Sequence, residues 1–136
     1  MSVIPMLSYE DAGAAADWLI EAFGFEQDGE RYHDDDGRVT HVELTYGSGR
    51  VMLGWPGSEY RAPRRHAEEC EQARRWLDNP WVVDGIHVQV DDLDAHLERA
   101  RAAGAEILRG PDELPFGKLY SAADPEGHRW MFLQPA

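Results

Sequence analysis

Apolar and polar positions follow one sequence of periods along this chain, and the sequence of periods occurs twice. An apolar run over residues 3–9 reads as a short strand. Trp18, Leu19, Ala22 and Phe23 then recur at helical spacing. They predict a helix over 11–23, with Asp11 as N-cap and Gly24 as its stop. A strand starting at Phe25 leads to the polar turn His33-Asp34-Asp35-Asp36-Gly37, and the hairpin VTHVELTY/RVMLGW turns at Gly47-Ser48-Gly49. Its first strand sets Val42 and Leu44 on one face and His41, Glu43 and Thr45 on the other. That is the pattern of a sheet covered by a helix on one side and open to a cavity on the other.

The second copy opens with a strand over 85–90, where Ile86, Val88 and Val90 share one face and Gly85, His87 and Gln89 the other. A helix is predicted over 92–103, stopped by Gly104, then a short strand over 105–108 ended by a Gly110-Pro111 turn. The last hairpin pairs KLYSAA with HRWMFLQ around Asp124-Pro125-Glu126-Gly127. A shift of 80 residues lays Asp11 on Asp91, Gly24 on Gly104 and Glu26 on Glu106. The fold class is therefore α+β, built of two βαβββ modules over 3–55 and 82–134. A module of about 55 residues buries too little core alone, so both are expected to pack in one 1–136 domain around a ligand cleft. The connector, 56–81, holds a loop at Pro56, Gly57 and Pro63 and a helix over 66–77 ended by Asn79-Pro80. Arg64, Arg65, Arg74 and Arg75 give it a solvated face, and Tyr60 and Trp81 at its ends suit a cover for the cleft mouth.

Composition narrows the setting. Apolar residues make up 43% of the 136, aromatics 10%, as in a globular protein. No stretch approaches the roughly 20 apolar residues of a membrane span. The start, MSVIPMLSYED, has no basic region or long apolar segment, so no signal peptide is expected. Cys70 stands alone and forms no intrachain disulfide, and the expected location is the cytoplasm. With 13 basic and 26 acidic residues, the net charge of −13 disfavours nucleic acid and would steer cationic ligands.

At this point the chain resembles the vicinal oxygen chelate superfamily of glyoxalase I, extradiol dioxygenases, and fosfomycin- and bleomycin-resistance proteins. The residues that carry the resemblance are Ala22-Phe23-Gly24-Phe25 closing the first helix, the strand–helix unit over 86–104, and Asp124-Pro125-Glu126-Gly127-His128-Arg129-Trp130. It implies modules curled into a U-shaped, eight-stranded cleft, commonly in a homodimer. It also implies four metal-ligand positions, which here hold Ile4, Leu53 or Met52, Gly85 and Met131. None offers a nitrogen, oxygen or thiolate donor. Glyoxalase I chemistry uses the metal as Lewis acid and is not expected, and no cofactor is implied.

The open-face alternation nominates His41, Glu43, His87 and Gln89 as cleft residues; Trp55 and Tyr120, with Tyr60, Trp76, Trp81 and Phe116, supply aromatic walls for a flat or cationic ligand. Trp130 and Phe132 alternate away from Met131 and pack under helices, while Arg129 shares its parity. The expected function is metal-independent binding of a small organic, cationic aromatic molecule, in the manner the resemblance implies for bleomycin-resistance proteins. The alternative is a lyase, isomerase or dioxygenase with a displaced site at His41, Glu43 and His87, Glu43 serving as general base. His66 and Cys70 stand four apart on the connector helix, a spacing open to metal or thiolate chemistry, but the favoured reading is a packed thiol beside a surface imidazole.

Overall fold

The computed structural model describes residues 1–79 and 85–136; Pro80 and Trp81, named above, lie outside them. The chain divides into two units, Met1–Ala62 and Pro63–Ala136. Each carries one four-stranded sheet, and the fold is α+β.

In the first unit, β1 (Met6–Ser8) leads into α1 (Ala12–Phe23), followed by β2 (Glu26–His33), β3 (Val39–Tyr46) and β4 (Gly49–Gly54). The helix has the predicted ends: the Asp11 carboxylate accepts from the Ala14 N–H at 3.0 Å, and Gly24, at φ 81°, closes it in the left-handed conformation. The sheet order is β1-β4-β3-β2, with β1 parallel to β4 and the rest antiparallel. Leu19 and Phe23 of α1 are fully buried, as are Val42, Leu44 and Leu53 of the sheet. His41 and Glu43 take the opposite face, as the alternation requires. The following loop closes on the same unit: Tyr60 donates its hydroxyl to the Ser8 carbonyl, and the Ala62 N–H donates to Glu10.

The second unit runs α2 (Pro63–Glu69), α3 (Glu71–Leu77), β5 (Gly85–Gln89), α4 (Leu93–Ala102), β6 (Glu106–Leu114), β7 (Gly117–Ala123) and β8 (Arg129–Pro135). Its sheet repeats the first plan, β5-β8-β7-β6 with a parallel β5–β8 edge. Asp92 caps α4 as Asp11 caps α1, accepting from Ala95. Under that helix, Tyr120, Trp130 and Phe132 are fully buried. Two expectations need correcting. The connector helix is two helices, because Cys70 is extended (φ −141°, ψ 116°). His66 and Cys70 therefore do not share one helical face, and the i, i+4 pairing is lost. Nor is Gly110-Pro111 a turn, since β6 continues through it.

Instead, the ladder with β7 shifts register between Ile107 and Arg109 and again before Asp112, a bulge that lets β6 bend. Gly110 sits there at φ 88°, where a Cβ would lie 2.5 Å from the Leu119 carbonyl oxygen. Both its conformation and its clearance exclude a side chain. Gly110→Ala is expected to lower stability by about 2–4 kcal/mol from strain and overpacking together, read as a lower urea midpoint. An unchanged midpoint would show that β7 yields at no cost.

Candidate functional site

The face of the first sheet turned away from α1 is polar and tied down. Hydrogen-bond register aligns Tyr32, His41 and Gly54 in one row, and Asp28, Glu43, Met52 and Met6 in the next. The His41 ring lies 5.8 Å from the Tyr32 ring. Arg50 reaches both acids of the second row, Asp28 at 2.7 Å and Glu43 at 3.8 Å. Glu43 is thus held in an ion pair on its own sheet. Trp55, just past β4, has one ring face covered by the Arg38 guanidinium 4.1 Å from its centroid. A cationic ligand would compete with Arg38 for that face.

The second unit contains a cavity of about 500 Å³, within the range that holds drug-sized ligands. Register builds its floor: His87 of β5 pairs with Met131 of β8, Met131 with Ser121 of β7, and Ser121 with Arg109 of β6. All four line the cavity, with Leu77, Leu108 and Asp78 at its sides. The β6 bulge is what restores Arg109 to register with Ser121. Arg129, one step along β8, completes the lining and donates to the main-chain carbonyls of Leu77 and Asn79. Those carbonyls end α3, so Arg129 ties that helix to the sheet. Burial pulls its guanidinium below the usual arginine range, while Glu106 and Asp78 act in the opposite direction.

Of the residues nominated from sequence, His87 stands in this cavity. Gln89 is exposed on the same strand, two residues on and outside the lining. His41 and Glu43 share the open face of the first sheet. Tyr120 is a correction, because it points to the other side of its sheet. It is fully buried under α4, its hydroxyl 2.6 Å from His96 Nδ1 and its ring stacked on Phe132 at 4.9 Å. Tyr60 is anchored to β1, and Phe116 and Trp76 are exposed. Sequence reasoning missed Ser121 and Arg109. Ser121 had a signal, since a hairpin centred on Glu126 puts it opposite Met131; Arg109 had none, because its placement needs the bulge.

The ladder also settles the metal-ligand register. Leu53 is fully buried toward α1, so Met52 holds the open-face position. Gly85 and Met131 line the cavity, and Ile4 precedes β1. This set lacks the donors a divalent cation needs. Within neither unit do the described residues gather three His, Cys, Asp or Glu side chains as a metal site. A metal centre at these positions does not fit this chain.

Solved structures share the architecture. TioX from Micromonospora sp. ML1 is 29% identical with a TM-score of 0.73, covering 100% of this chain and 99% of its own. TnmS3, an antibiotic binding protein from Streptomyces sp. CB03234, is 20% identical with a TM-score of 0.64, over 100% of this chain and 98% of its own; that likeness speaks to the fold. The uncharacterized protein Mb0911c of Mycobacterium bovis is 30% identical over 132 residues, 96% of this chain and 81% of that one. The profile of the Glyoxalase/Bleomycin resistance protein/Dioxygenase superfamily matches residues 4–132, spanning both βαβββ sheets and the connector, and the chain belongs to that superfamily.

Proposed function

We propose that this protein binds and sequesters a small organic molecule in the cavity of its second unit, without a metal ion. The observation that carries the reading is the cavity's lining: Met131 and Gly85 at positions where a metal would need donors, beside apolar Leu77 and Leu108. Such a site gains affinity by burying apolar ligand surface, at roughly 25 cal/mol per Å², and by a few convergent polar groups. Gly85 and Met131 offer no donor set to hold a Lewis acid there. The shared fold of an antibiotic binding protein agrees with sequestration and does not identify the ligand.

His87 supports the catalytic alternative, since it stands in the cavity as an imidazole capable of proton transfer. One experiment separates the two. Protein stripped with chelator is titrated calorimetrically with a panel of aromatic compounds, and each complex is followed for chemical change. Sequestration predicts one-to-one binding with Kd of about 1 μM or tighter, the same with and without chelator, and the compound recovered intact. Turnover that disappears in His87→Ala, or binding that requires a divalent cation, would overturn it.

A further inference from the structure

The lining of the cavity points to a different charge for the ligand than the acidic surface does. Four donor-bearing side chains converge there: His87, Arg109, Ser121 and Arg129. Adjacent strands lie about 4.8 Å apart, so the row from His87 to Arg109 spans roughly 14 Å, the length of a two- or three-ring molecule. Arg109 is paired through Nε with Asp112 at 3.0 Å, which leaves its two terminal amino groups to donate elsewhere. A guanidinium has five N–H donors. Arg129 spends its bonds on neutral carbonyls, and among the described residues no carboxylate stands within ion-pair distance of it. Among those residues its charge is not neutralised by contact. The acid of the lining, Asp78, lies at the side and faces Arg74 at 3.7 Å.

Among the described lining residues a cationic ligand would find one acid, Asp78, already facing Arg74. Trp130 belongs to the lining but is fully buried, so its ring offers no open face for cation–π contact. Trp55, on the first unit, already carries Arg38. The net charge of −13 acts at long range, and salt screens such fields beyond about 8 Å at physiological ionic strength. Contacts inside the cavity decide affinity.

Resting on the binding function proposed above, we infer that the cavity takes an organic anion: a flat apolar body against Leu77, Leu108 and Met131, with a carboxylate or similar group received by Arg109 and Arg129. Guanidinium groups match a carboxylate's two oxygens in a fork. Ser121 adds a hydroxyl donor beside it, and His87 closes the far end of the row.

Three probes of one shape test this: 2-naphthoate, neutral 2-naphthamide and the cation 2-naphthylmethylammonium. Each is titrated into chelator-treated protein at physiological salt. The carbon-13 methyl resonance of Met131 reports whether the probe enters the cavity. The expected result is that naphthoate binds about tenfold tighter than naphthamide, about 1.4 kcal/mol, and that the cation binds weakest. Arg109→Gln is expected to bring the carboxylate-to-amide ratio toward one. Arg129→Gln should do the same; because Arg129 also anchors α3, Arg109→Gln decides the matter if that variant does not fold. Amide or cation binding as tightly as the carboxylate, with Met131 shifted, overturns the anion assignment and leaves sequestration standing. If none of the three moves the Met131 methyl, the binding function itself falls, and this inference with it.

Discussion

Asp124→Ala is expected to lower the stability of the chain by about 3–5 kcal/mol, the largest cost of any single polar substitution proposed for it. Asp124 is 1% exposed, and both carboxylate oxygens are in use. Oδ1 accepts from the main-chain N–H groups of Glu126 and His128, which fixes the turn between β7 and β8. Oδ2 accepts from the indole N–H of Trp130, itself fully buried, at 3.1 Å. Alanine removes both acceptor oxygens and with them all three hydrogen bonds, and it takes this acceptor from a buried indole N–H, the expensive way to lose a hydrogen bond. For a domain of this size such a cost lowers Tm by roughly 10–20 °C. Asp124→Asn keeps one oxygen for the turn but presents an amide N–H₂ to the indole, so a loss of about half that size is expected. Trp130→Phe removes the indole donor. The double variant Asp124→Ala/Trp130→Phe should therefore cost less than the two single losses added. Full additivity would show that the indole bond contributes nothing.

The same residues explain why so much of the fold was legible. Asp11, Gly24, Asp92 and Asp124-Pro125-Glu126-Gly127 act locally: each satisfies or ends main-chain hydrogen bonds within a few positions of itself, so the sequence alone shows where elements start and stop. Strict alternation in VTHVELTY places Val42 and Leu44 inward without reference to anything distant. The connector is different. Nothing in its composition marks Cys70 as extended. What directs its two helices is anchoring to the second sheet from both ends. Arg64 reaches Glu106 and the Asp124 carbonyl at the start of α2, and Arg129 holds the carbonyls at the end of α3. Tertiary contacts of this kind override helical propensity.

The site was half legible for a related reason. His87 follows from strand parity, and Met131 and Ser121 follow from the symmetry of the last hairpin. Tyr120 shares the parity of Ala122, which sets it against α4 despite an aromatic chemistry that suits a cleft wall. Arg109 depends on the register shift that follows Ile107, which a linear pattern does not contain. That bulge changes the character of the cavity, because it adds a cation to a row otherwise made of His87, Met131 and Ser121. The expectation of a cationic ligand rests on total charge, aromatic supply and the resemblance to bleomycin-resistance proteins, none of which fixes the charge lining one cavity, and the lining departs from it.

Ser121→Trp is expected to abolish binding while leaving the fold intact. Ser121 stands in the middle of the cavity-floor row, on β7 between Met131 and Arg109, with its side chain on the face away from α4. It is half-buried, and among the described residues no tertiary hydrogen bond depends on its hydroxyl, so its loss leaves none of their buried groups unpaired. An indole at this position projects into the 500 Å³ cavity rather than into the packed layer of Trp130 and Phe132 on the opposite face. Aromatic residues suit a strand, so the sheet itself has no reason to open. The added ring occupies the space a two-ring ligand needs, and a loss of affinity of at least about a hundredfold follows, near 2.8 kcal/mol. Calorimetric titration with whichever aromatic compound binds the parent protein measures it, with circular dichroism and Tm as the check on folding. Affinity retained within about threefold in a folded Ser121→Trp protein would place the ligand elsewhere. The cavity of the second unit would then have no claim on the function.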